Sequence, residues 1–362
     1  MVKNKGKKIV FYLINLLIVV IVSGLTISKI FKENGVEALS YLKDLSVFSI
    51  ILLTAIFFVN YYLEGIIISV SMKKYKKNFK PANGFVVQCV GGLFSAITPL
   101  KIGYFPSLGY AYSKYDVKAE ELIKSMAKTS FSYQILTLLL SIVSLIVCFS
   151  KQMVVTLGST NLNLKYVALI GFVYNIVLFG GYFLLVLSPK IHNFVLKILA
   201  WILLKIKKID NKDEYLNAKA EKMKLVRKEL KDYFKNIKES IVIFVLYLFK
   251  NLIFWGLPYF VYLLIAKEKF NFDLYLYTIV LVNLISYITN IIPLPGASGA
   301  AEVVFIATFG LIYSPESLLT SVMLVWRVFS YFINIIVGFI VFAIIINVKK
   351  GKKEQKENVT VQ

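Results

Sequence analysis

Long apolar runs separated by short lysine-rich segments dominate the chain. Runs near 9–28, 46–70, 126–149, 165–188, 240–265, 274–292 and 319–347 approach or exceed the ~20 residues a helix needs to cross a bilayer. Two further apolar stretches, 84–112 and 293–313, are broken by glycine and proline. The first run follows Lys7 and Lys8 much as a secretory leader would. No small-residue cleavage site precedes Lys29, so it is read as a helix. The pattern predicts an all-α polytopic membrane bundle of about eight spans, with two broken or re-entrant elements in pseudo-repeated halves. The halves are 1–188 and 240–347, joined by a basic connector at 189–239 and followed by a basic tail at 348–362.

Composition agrees with this reading. Of 362 residues, 58% are hydrophobic and 17% charged, with a mean hydropathy of +0.72; a soluble domain carries about 25% charged residues. Soluble enzyme classes are therefore excluded. One histidine and two cysteines offer little for a metal or redox centre, and Cys89 and Cys148 lie inside apolar runs, as small packing residues do. No cofactor or metal is expected.

The net charge of +22 would suggest nucleic acid in a soluble protein; in a membrane protein it reports topology. The N-terminal tail, 71–80, 114–128, 189–239 and the tail from 348 sum to +20, whereas 29–44, 150–165, 267–273 and 311–317 sum to +1. This bias predicts both termini in the cytoplasm. It closes if 84–112 enters and leaves on the cytoplasmic side while 293–313 crosses. Within the connector, Leu216, Met223, Val226, Leu230, Tyr233 and Ile237 form one helical stripe. The helix they predict over 205–239 would lie on the inner leaflet or pack on the bundle.

The two breaks echo one another. Ile97-Thr98-Pro99-Leu100, continuing through Lys101, Gly103 and Pro106, is matched 194 residues later by Ile291-Ile292-Pro293-Leu294, then Pro295, Gly296, Ser298 and Gly299. Broken helices at corresponding places in two halves point to a binding site near the bilayer midplane, and a half-helix beginning near Gly299 would direct its positive end at an anion. The bland alternative is a pair of proline kinks. Charges at depth add candidates, because ionisable groups there are costly. Glu302 and Arg327 are equidistant from the turn near 313–318 and so are expected at equal depth, able to pair. They would form either a structural clamp or a headgroup site, with Arg327 on phosphate and Glu302 holding it or meeting an ammonium. Lys101 is a second phosphate contact; Glu64 and Lys250 rank lower. The candidate substrate-binding set is Lys101, Gly103, Pro293, Gly296, Ser298, Gly299, Glu302 and Arg327, with no catalytic residue.

The stretch from Pro293 through Gly296, Ser298 and Gly299 to Glu302 resembles the proline–glycine–glutamate signature of the lysylphosphatidylglycerol synthase transmembrane region. Val325-Trp326-Arg327-Val328-Phe329-Ser330-Tyr331 is similar to that family's arginine-bearing last-helix motif. Thr98-Pro99 through Gly103 and Pro106 resembles its first break, with Tyr104 and Phe105 where relatives often have Gly-Gln. The resemblance covers nearly the whole chain. It implies a multi-pass protein of the bacterial inner membrane that moves or presents anionic or aminoacylated phospholipid. In bifunctional relatives a separate cytosolic domain transfers the amino acid from tRNA to lipid. Only 15 residues follow the last expected helix, so that domain is not expected here.

Three functions compete. The first is a phospholipid flippase, acting on lipid such as lysyl-phosphatidylglycerol. The second is a membrane enzyme, namely a phosphatidylglycerol lysyltransferase acting in cationic-peptide resistance or a lipid-linked glycosyltransferase. The third is a small-solute transporter. Scattered Glu33, Glu37 and Asp44 without an Asp-x-Asp pair count against the glycosyltransferase. Membrane phospholipid is the expected partner, a separate synthase and an oligomer remain open, and nucleic acid is not expected.

Overall fold

The computed structural model describes residues 3–157, 160–205 and 211–359. These contain fourteen α-helices and one antiparallel hairpin, β1 (Val154–Leu157) with β2 (Thr160–Asn163). The first half runs α1 (Lys3–Lys43), α2 (Val47–Met72), α3 (Pro81–Ala96), α4 (Tyr104–Ser113), α5 (Ala119–Lys151) and α6 (Leu164–Leu187). The connector forms α7 (Pro189–Lys205) and α8 (Lys212–Lys235). The second half runs α9 (Ile237–Trp255), α10 (Leu257–Ala266), α11 (Phe272–Ile291), α12 (Ala300–Phe309), α13 (Glu316–Arg327) and α14 (Ile333–Val359), with a π-helical turn at Val328–Phe332. The lysine groups at 3–8 and in the 348–362 tail lie outside the residues whose side chains are described.

This is a helical membrane bundle. By length and composition α2, α5, α6, α11 and the joined α13–α14 can cross a membrane, and α9 with α10 makes a sixth span if the bent pair acts as one. The 40° bend falls at Gly256, two residues before Pro258, whose missing N–H weakens the helical ladder. The expected first span, 9–28, lies partly outside the residues whose side chains are described. The 293–313 stretch does not form a crossing helix. Its α12 has 10 residues, about 15 Å at 1.5 Å per residue, or half of a ~30 Å hydrocarbon core.

One expected loop is helical instead, and the expected connector helix packs on the bundle. α1 continues to Lys43 through residues 29–43, which contain no proline to stop it. It docks there on α13, where Ser321 Oγ donates to Ala38 O at 2.9 Å. The connector stripe packs on the bundle: Leu230 and Tyr233 are buried beside Phe131 of α5, with Tyr233 Oη on Ser132 Oγ at 2.6 Å. Ile237 leaves the stripe, being exposed at the start of α9. The largest apolar core lies around α5 and α10–α13, where Phe305, Phe309 and Trp326 stack at centroid distances of 4.2 and 4.7 Å.

Beneath α8 sits a buried cation, Lys128, which falls in the expected 126–149 helix and in the 114–128 segment counted as cytoplasmic. Because α5 begins at Ala119, Lys128 is carried inside and is 0% exposed. Its Nζ lies 2.7 Å from Glu239 and 3.3 Å from Glu229, and 4.9 Å above the Tyr75 ring. Lys74 approaches Glu229 and Asp232 from the solvent side at 3.6 and 3.3 Å. A buried pair broken on one side costs ~3–5 kcal/mol, whereas an exposed pair is worth ~1 kcal/mol or less. Lys128→Ala should therefore lower the thermal midpoint in detergent sharply and loosen α8 to protease. Lys74→Ala should leave both nearly unchanged, and equal effects would refute this division.

Candidate functional site

Each break is a proline-initiated 3-10 turn followed by a half-helix, and the two share one backbone path. Pro99–Lys101 is left-handed at Leu100 (φ 49°) and Lys101 (φ 57°); Pro295–Ala297 is left-handed at Gly296 (φ 59°) and Ala297 (φ 48°). Three of these four residues carry a Cβ, for which this region costs roughly 1–2 kcal/mol each. The half-helices, α4 and α12, both contain 10 residues and begin just after Gly103 and Gly299. The structural repeat is thus 196 residues, pairing Pro99 with Pro295 and Gly103 with Gly299, and corrects the 194-residue register read from Ile-x-Pro-Leu.

The glycine N–H that opens each half-helix is satisfied differently in the two halves. Gly103 N–H donates back to Thr98 Oγ1 at 2.9 Å. Gly299, at φ 85°, donates forward to Glu302 Oε2 at 2.8 Å. The other oxygen of Glu302 accepts from Arg327 Nε at 2.8 Å, and Arg327 Nη2 donates to Gly296 O at 2.9 Å. The expected pair therefore forms, with Glu302 0% and Arg327 5% exposed. Ser298 Oγ closes the turn on Pro295 O at 2.9 Å, while Pro293 stays exposed. The Gly103 and Gly299 amides and the Gly296 and Pro295 carbonyls are thus each held, and the Glu302–Arg327 pair ties two of them together; unwound backbone in a bilayer needs such partners.

The two breaks meet. The turn at 99–101 packs on the turn at 295–297, and two side chains stitch them together. Lys101 Nζ donates to Asn290 Oδ1 at 2.9 Å, in the last turn of α11. Tyr331 Oη donates to Ala96 O at 3.0 Å, at the end of α3. The Tyr331 ring also lies 4.2 Å from the Arg327 guanidinium carbon and so close to Gly296 that a Cβ there would fall 2.2 Å from the ring. The π-helical turn, a device frequent at functional sites, includes Tyr331.

The structure thus brings together Lys101, Gly103, Gly296, Ser298, Gly299, Glu302 and Arg327 around one junction. Arg327 has its Nε and one Nη2 hydrogen engaged within the chain; Lys101, whose ammonium rests on Asn290, is an exposed residue. Glu64 and Lys250 form a second pair, 2.6 Å apart between α2 and α9. Tyr331 and Asn290 were not among the expected site residues. Tyr331 carries a signal, standing four residues, about one helical turn, after Arg327; Asn290 has none beyond its place just before the break.

The packing of Tyr331 on Gly296 is testable by a double-mutant cycle. Gly296→Ala should destabilise by at least ~1 kcal/mol, from backbone strain alone and more from the ring. Tyr331→Ala should also destabilise. The double variant should cost clearly less than their sum, because the ring is gone. Additive losses in thermal unfolding would mean the two residues do not press on each other.

No curated protein and no solved structure matches the chain. The family model described as the lysylphosphatidylglycerol synthase TM region matches residues 12–338, which include both breaks, the buried pair and Tyr331. The chain belongs to the lysylphosphatidylglycerol synthase transmembrane-region family.

Proposed function

We propose that this membrane protein translocates phospholipid, with the headgroup taken at the junction of the two breaks. One comparison carries the reading. At the third residue of α12 the chain supplies its own anion, Glu302, to the half-helix N-terminus. The matching position of α4, 196 residues earlier, is Pro106. The first-turn N–H groups of α4 therefore meet no acidic residue of their own first turn, and Lys101, an exposed residue whose ammonium rests on Asn290, stands at the same end. A helix N-terminus beside a lysine suits a phosphate. Arg327 and Glu302 then hold the second break in shape, while Lys101 and α4 take the headgroup phosphate and the acyl tails stay in lipid.

The substrates that follow are phosphatidylglycerol and its lysylated form, in the inner membrane with both termini cytoplasmic as the lysine distribution favours. A second reading, supported by the family's description as a synthase region, is the membrane part of a lysyltransferase system with a partner enzyme.

Fluorescent phosphatidylglycerol and lysyl-phosphatidylglycerol in proteoliposomes, read by dithionite accessibility, test the proposal. Wild type should move at least one of them. Lys101→Ala should slow that movement about tenfold or more, since a charge-assisted hydrogen bond contributes ~1.5–3 kcal/mol. Folded wild type that moves neither lipid overturns translocation. Lysyl-phosphatidylglycerol formed from phosphatidylglycerol and lysyl-tRNA would favour the second reading.

A further inference from the structure

The connector forms a pair of helices, and only one of them spends its apolar face inside the protein. α8 returns to the end of α6, where Arg227 Nε donates to Val186 O at 2.6 Å. It then passes into α9 at Asn236, which caps both helices, while α7 packs against it. The pair therefore leaves the bundle and rejoins it at one end. α8 buries Leu230 and Tyr233, with Met223 and Val226 packed beside them. The rest of it is polar, with eight basic and five acidic side chains in 24 residues, and such a helix cannot enter hydrocarbon.

α7 has three faces. His192, Leu196 and Ala200, four residues apart, are buried. At about 100° per residue, Ile191, Phe194, Ile198, Trp201 and Ile202 share one arc on the opposite side. These five are 37, 65, 44, 59 and 42% exposed. Lys190, Asn193 and Lys197 make an exposed polar strip along one edge between the two faces. An apolar stripe open along most of a helix needs a cover.

The position and charge of α7 name that cover as lipid. Only Ser188 separates α7 from α6, which is long and apolar enough to span, so α7 starts within about 8 Å of that helix's end. It does not itself cross. Its 17 residues reach about 25 Å, short of the ~30 Å hydrocarbon core, and a crossing would leave Lys197, its central residue, at the midplane. Its charges are three lysines with no acidic residue on the helix, which suits an anionic headgroup layer. Trp201, with the Lys205 ammonium 5.2 Å from its ring centre, is of the residue type that settles where hydrocarbon meets water.

We propose that α7 is an interfacial helix, its stripe from Ile191 to Ile202 seated at the acyl boundary of one leaflet, with Lys190, Lys197 and Lys205 gathering anionic headgroups around it. An apolar face with a basic edge binds a lipid surface by buried area and charge together. α8 then lies on the side of α7 away from lipid and carries Glu229 to Lys128. This surface shares no residue with the junction of the two breaks, and the proposal does not rest on the headgroup reading.

The test uses the full chain in mixed phosphatidylcholine–phosphatidylglycerol vesicles, with nitroxide labels on N193C, F194C and I198C; Cys89 and Cys148 are buried. Labels at 194 and 198 should meet oxygen more readily than a water-soluble nickel chelate, and the label at 193 should show the reverse. Nickel access at all three positions overturns the proposal, because the helix pair then stands in water. Shielding of 194 and 198 from both reagents also overturns it, and dipolar broadening would then identify a second copy as the cover. Charge selection is read from Trp201 emission, taken as wild type minus W201F. Judged by quenching, brominated phosphatidylglycerol should associate with Trp201 about fivefold more strongly than brominated phosphatidylcholine, as one lysine–headgroup contact provides. K190Q/K197Q/K205Q should bring the two lipids level. Equal quenching in wild type overturns the proposal, as does a preference that the triple variant retains.

Discussion

Unwound backbone inside a bilayer has no water to satisfy it, and much of this structure answers that constraint. A helix interrupted in hydrocarbon exposes amides and carbonyls at several kcal/mol each. At the second break the answer is Glu302, whose two oxygens take the Gly299 amide and Arg327. Arg327 in turn takes the Gly296 carbonyl. The charges and the backbone are therefore mutually dependent. Neither ion would be tolerated at this depth without the other, and the break would be costly without both.

The same constraint explains which parts of the molecule could be read from its residues. Membrane class, the two breaks and the Glu302–Arg327 pairing follow from hydropathy, proline and glycine placement, and equal distance from a turn. The register of the repeat did not follow from Ile-x-Pro-Leu, because the backbone equivalence is carried by a different spacing, Pro99 to Gly103 and Pro295 to Gly299. That spacing, proline then glycine four residues later, is present in the sequence. It marks where a left-handed turn must end and a helix begin. The burial of Lys128 did not follow for another reason: charge counting carries no information on depth, and only the tertiary contact with Glu229 and Glu239 makes a buried site acceptable for a lysine.

Tyr331 lies where the two halves depend on each other. Its hydroxyl satisfies a carbonyl at the end of α3, and its ring fills the space over Gly296 while bearing on Arg327. A shift of the second break would thus be felt at the first through one rigid side chain. The π-helical turn that carries Tyr331 departs from regular helical hydrogen bonding, as turns at functional sites often do. Lys101 on Asn290 is the complementary link, made by a long flexible side chain. The junction is thus crossed by one stiff contact and one made by a flexible side chain.

The asymmetry between the halves then acquires a physical meaning. Two turns of one backbone design lead into two half-helices of equal length. One half-helix carries its anion covalently, as Glu302, and is closed by Arg327. The other has Pro106 at that place, and its glycine amide donates upstream, to Thr98 Oγ1. In a repeated fold where one copy is neutralised from within and the other is not, the proposed headgroup site falls in the half without its own anion. A lipid phosphate at α4 would complete there the arrangement that Glu302 completes at α12, with Lys101 in place of Arg327. On the proposed reading, the built-in copy shows the charge and geometry that a ligand would supply to the other half.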